Sequence, residues 1–129
     1  LRGTLVTTLH GLYDTREMKG LLGQFDLVLS GRVHGAIAAI SQGVPTTMIE
    51  YGNGPRAHKV RGFAELVGLE EYVVPPTDGH LMVDAAERCW RNREAIVHCL
   101  ATRIPQVLRE AERNFSLLEE LMDRRAKAR

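Results

Sequence analysis

Arg32 and His34 stand one residue apart in the run Ser30-Gly31-Arg32-Val33-His34-Gly35. The run lies where an apolar segment, Phe25 to Leu29, gives way to a helical pattern of small residues that ends at Gly43. In open parallel sheets, ligands sit beyond the carboxyl ends of the strands, against the N-termini of the following helices. Free backbone N–H groups and the helix dipole favour an anion there. Arg32 adds a fork of donors suited to a carboxylate or a phosphate, and His34 adds a second cation or a group able to exchange a proton. Gly31 and Gly35 allow close backbone approach, and Ser30 can cap the helix or donate its hydroxyl. The junction reads as an anion site with an acid or base beside it. The plainer reading makes Arg32 a surface residue and His34 a backbone cap.

A second cationic stretch, Glu50-Tyr51-Gly52-Asn53-Gly54-Pro55-Arg56-Ala57-His58-Lys59-Val60-Arg61, follows the next apolar run. Parallel strands share their carboxyl ends, so this loop leaves the sheet on the same edge as the first junction. Four cations at a helix start oppose the dipole, which favours a ligand over mere solvation. Helical spacing pairs Arg56 with Lys59 and His58 with Arg61, and leaves open which of them faces a ligand. His10 and Asp14 follow the first apolar run, where a turn is the simpler role. His80, His98 and Trp90 read as ordinary polar or packing residues. The sequence carries no metal-ligand cluster, nucleophile elbow, GxGxxG or Walker pattern.

These residues need a scaffold, and the pattern supplies one. Thr4 to Leu9, Phe25 to Leu29, Val44 to Tyr51 and Tyr72 to Val74 read as strands. Asp14 to Leu22, Val33 to Ser41 and Ala57 to Val67 read as the helices between them. Alternation of this kind predicts an α/β fold, a Rossmann-like parallel sheet flanked by helices with right-handed crossovers. Beyond Leu81 the pattern is helical to the end, read as two helices meeting near Ile104-Pro105. The second carries an apolar stripe of Leu108, Ala111, Phe115, Leu118 and Met122. The domain plan is therefore a single unit over 1–129, with strands and helices alternating over 1–80 and a helical tail over 81–129. Four strands are few for such a sheet, so the chain is expected to be the C-terminal part of a longer two-domain protein.

Composition narrows the function classes. The 129 residues carry 17 Lys and Arg against 16 Asp and Glu, which argues against nucleic-acid binding by bulk charge. No apolar run approaches the roughly 18 residues that would span a bilayer, so no transmembrane segment is expected. Cys89 and Cys99 have neither metal-knuckle nor disulfide spacing and read as buried thiols of a reducing, cytoplasmic compartment.

The string "DLVLSGRVHGAIAAISQGVPTTMIEY", then Lys59 and "GFAELVGLEEYVV", resembles the C-terminal half of the polysaccharide pyruvyl transferase family. The matching positions are Asp26, Ser30, Arg32, His34, Ala39, Gly43, Pro45, Tyr51 and Lys59, with a longer insertion before Lys59 than family members carry. The resemblance implies the C-terminal domain of a glycosyltransferase-B-type fold. It implies transfer of pyruvate from phosphoenolpyruvate to two hydroxyls of a sugar acceptor as a ketal, with release of phosphate and no further cofactor. It makes Arg32 and His34 the catalytic pair, with Ser30, Gly31, Tyr51 and Lys59 binding substrate. The setting would be cell-surface polysaccharide biosynthesis. The competing readings are a nucleotide-sugar-binding half of a glycosyltransferase or sugar epimerase, and a degenerate half-domain used for assembly. An exposed interdomain face would also allow self-association.

Overall fold

The computed structural model describes residues 6–51 and 58–127. The first helix, α1 (Thr15–Leu22), starts at a capping box: the Asp14 carboxylate accepts from the Arg16 and Glu17 amides, and Glu17 reaches back to the Asp14 amide. Strand β1 (Val28–Ser30) leads into α2 (Val33–Ile40), β2 (Thr46–Ile49), α3 (Lys59–Val67), a 3-10 turn at Glu70–Tyr72 and β3 (Val73–Val74). The strands pair in parallel in the order β1-β2-β3, with Val28 opposite Thr46 and Met48 opposite Val73. This is the α/β, parallel, helix-flanked architecture expected from the alternation.

Two successive right-handed crossovers in one direction put α2 and α3 on the same face of the sheet. Met48 points to that face and packs with Ala36, Ile40, Ala64 and Val67, all almost fully buried. Ile49 and Val74, one residue out of phase, face the opposite side and meet Ala85 and Met82 of α4 (Gly79–Arg91). Cys89 is sealed in the core and Cys99 is half-buried, both as free thiols. Burial pushes the Cys89 thiol up to about 11, with a contact to the Thr47 hydroxyl offsetting part of the rise.

Gly43 explains the turn from α2 into β2. Its φ is 80°, a left-handed value open to glycine at little cost, and its amide and that of Val44 bond back to Ile40 and Ala39. Pro45 then precedes the first paired residue of β2, where a missing N–H does no harm. A side chain at position 43 would meet open space, so the cost of adding one is backbone strain alone. Gly43→Ala is therefore expected to destabilise the fold by about 1–2 kcal/mol, read as a lower urea midpoint at unchanged slope.

Two expectations need correction. Residues 6–9 form no strand: Val6 is 83% exposed and Leu9 51% exposed, with no ladder or core to hold them. Residues 4 and 5 of that expected strand lie outside the described residues. Among the described residues the sheet has three strands, and no strand pairs with the outer edge of β1. Beneath that edge Leu27, Leu29, Met82, Val83, Ala86 and Trp90 line an apolar hollow, so Trp90 is half-exposed rather than packed away.

The second correction concerns the helical tail. The break falls at Asn92, where the side-chain amide donates to the Tyr72 hydroxyl at 3.0 Å, and not at Pro105. Helix α5 (Arg93–Lys127) runs through Pro105. The carbonyl that Pro105 leaves without a donor belongs to Ala101, an exposed residue, so water can satisfy it.

The apolar stripe expected in the tail is present on α5, where it lies uncovered among the described residues. Ile96, Leu100, Ile104 and Val107 anchor the first turns of α5 to the core, whereas Leu108, Phe115, Leu118 and Met122 are all more than half exposed. No described helix is long and apolar enough to cross a membrane.

Candidate functional site

Beyond the carboxyl ends of β1 and β2 lies a hollow of about 730 Å³, lined by Gly31, Arg32, Val33, His34, Tyr51, Lys59 and Val60. Its size is within the range of small-molecule sites, about 300–1,000 Å³. Two helix N-termini open onto it. The N-cap of α2 is Arg32 and that of α3 is His58, and neither side chain caps the helix. Neither first turn carries an acidic residue. Among the described residues no side chain caps either first turn, and both dipoles present their positive ends to the hollow.

Arg32, His34 and Lys59 add side-chain donors to those amides. All three are exposed, and none pairs with a carboxylate among the described residues. Three cationic or proton-bearing side chains and two helix starts around one hollow fit a small ligand with more than one negative charge. Such groups can hold a small anion through charge-assisted hydrogen bonds, and an imidazole among them can exchange a proton.

Ser30 stands apart from this lining. Its hydroxyl donates to the Arg32 carbonyl at 2.8 Å and accepts from the Arg32 amide at 3.3 Å, which closes the turn between strand and helix. Gly35 makes room for that turn, since a Cβ there would lie 2.8 Å from Ser30 Oγ. Ser30 is thus engaged in shaping the loop that presents Arg32.

The basic stretch before α3 divides in the same way. Lys59 lines the hollow, while Arg61 is drawn to Glu50 at 3.1 Å across the end of β2. His58 is exposed at the helix start, and Arg56 lies outside the described residues along with the rest of 52–57. Glu50 has no role in the sequence pattern, and its place directly after β2, beside Tyr51, is the available signal. Val33 and Val60, likewise without a role in that pattern, give the hollow apolar walls. Asp14 serves as the cap of α1, and His10, His80 and His98 are exposed outside the hollow. Among the described residues no group of three or more His, Cys, Asp and Glu could hold a metal ion.

Residues 1–53 match the model of the polysaccharide pyruvyl transferase family. That span contains β1, α2, β2, Arg32, His34 and Tyr51, and stops short of Lys59. No curated protein and no solved structure matches the chain.

Proposed function

Taking the family match over residues 1–53 as premise, we propose that the chain binds phosphoenolpyruvate in this hollow and contributes to transfer of its pyruvyl group onto a sugar. The observation that carries this reading is the meeting of two uncapped helix N-termini with Arg32, His34 and Lys59 around one cavity. Phosphoenolpyruvate carries a carboxylate and a phosphate close together, and such a ligand uses donors from both helix starts.

Arg32 and Lys59 clamp the two anionic groups. His34, in its protonated form, delivers a proton to the methylene carbon, which becomes the methyl group of pyruvate. The neighbouring carbon is then electrophilic and takes the first sugar hydroxyl, whose proton returns to the now neutral His34. The second hydroxyl displaces phosphate by cleavage of the carbon–oxygen bond, and its proton leaves with the phosphate. The ketal and inorganic phosphate are the products. The donor carries its own activation, so the scheme uses no cofactor.

The hollow is open to solvent, and we place its second wall on a further domain of the two-domain plan, which would also hold much of the acceptor. The setting proposed with this activity is the cytoplasm, in cell-surface polysaccharide biosynthesis.

The test is titration of the chain with phosphoenolpyruvate, inorganic phosphate and a nucleotide sugar such as UDP-glucose. Phosphoenolpyruvate is expected to bind most tightly, and Arg32→Ala to weaken it by about 10- to 100-fold, the loss of one or two charge-assisted hydrogen bonds. Preference for the nucleotide sugar overturns the reading in favour of a glycosyltransferase-type site, and absence of binding by all three leaves only a role in assembly.

A further inference from the structure

The three cations account for only part of the hollow. Tyr51, two residues beyond β2, lines the same hollow and is 64% exposed. Its ring takes the space a side chain at position 31 would need: a Cβ on Gly31 would fall 2.5 Å from Tyr51 Cε2 and 3.3 Å from Cζ. Glycine at the strand–helix junction therefore does more than free the loop. It forms a slot that receives the edge of the phenol and sets the ring beside Arg32 and His34. Val33 and Val60 extend the apolar side of the cavity.

A small dianion satisfies the cationic side and leaves this aromatic surface wet. A pyranose complements it. Axial C–H groups give a sugar ring an apolar face that lies against an aromatic ring, while its rim of hydroxyls faces away toward polar partners. Stacked on Tyr51, such a ring holds its hydroxyls toward the anion that Arg32, His34 and Lys59 bind.

We infer that Tyr51, seated in the Gly31 slot, is the stacking platform for the acceptor pyranose and so a determinant of acceptor affinity rather than of donor binding. This inference rests on the proposed anion site.

Saturation-transfer NMR on the chain tests it, with methyl β-D-glucopyranoside and methyl β-D-galactopyranoside as probes and phosphoenolpyruvate present. Saturation is expected on the axial C–H protons of the sugars in the unaltered chain and in Tyr51→Phe, which keeps the ring. It is expected to fall at least about 5-fold in Tyr51→Ala and to weaken in Gly31→Ala, which crowds the ring out of its slot. The phosphoenolpyruvate signal in the same samples should be unaffected by Tyr51→Ala.

Sugar saturation that survives Tyr51→Ala overturns the inference, as does its absence from the unaltered chain or a Tyr51→Ala effect confined to phosphoenolpyruvate. Uridine added as a third probe and saturated in place of the sugars also overturns it. Failure of phosphoenolpyruvate to show any signal refutes the anion site separately, since the sugar protons are read independently.

Discussion

Replacing His34 with glutamine in the full-length protein is expected to slow pyruvyl transfer by about 10²- to 10⁴-fold, the range general-acid groups contribute. Phosphoenolpyruvate binding should stay within a few-fold. The side chain is exposed at the second residue of α2 and pairs with no carboxylate among the described residues, so its removal disturbs no packing. Glutamine retains hydrogen bonding but cannot deliver a proton to carbon. Following ketal formation and phosphate release together separates two roles. A fall in turnover alone marks His34 as the acid, and a matching fall in donor affinity marks it as a phosphate ligand. A rate within a few-fold of the unaltered protein removes it from the chemistry.

The second large effect belongs to the scaffold. Leu100→Ala is expected to cost about 2–5 kcal/mol, a large share of the total of about 5–15 kcal/mol typical of a native domain. Leu100 is fully buried in the cluster that joins α2, β2, α3, α4 and α5, so truncating it leaves a cavity among those elements. Leu100→Met, which conserves volume, should cost less than about 1.5 kcal/mol. Chemical denaturation of both variants decides the matter. A Leu100→Ala cost near that of Leu100→Met would mean that α5 is not part of the cooperative core.

Much of this molecule could be read from its residues because the signals were local. Asp14 and Glu17 announce α1 by a reciprocal cap. Gly43 and Pro45 mark the passage from α2 to β2, and the run before Ser30 fixes where a strand must hand over to a helix. The anion site followed from that junction, since parallel strands deliver their loops to one edge.

Signals that depend on a distant partner were not legible. Lys59 and Arg61 look alike in sequence, and only Glu50 on another element separates them. Ser30 could have served a ligand or its own turn, and the choice depends on a rotamer that Gly35 makes room for. Thr7, Thr8 and Leu9 have strand propensity, but propensity does not form a ladder without a neighbour. Pro105 looked like a boundary, yet an exposed carbonyl one turn earlier makes it tolerable inside α5.

The outer edge of β1, which no described strand covers, bears on the site as well. The Val28 amide donates inward to the Pro45 carbonyl at 2.9 Å, so by the alternation of a parallel ladder the Leu29 amide is directed outward. Another strand laid there can join without disturbing the register already in place. If it runs parallel, its own carboxyl end must emerge beside Ser30, and whatever loop follows would arrive at the rim of the hollow. The edge thus offers a berth from which a paired strand would reach the hollow lined by Arg32 and His34.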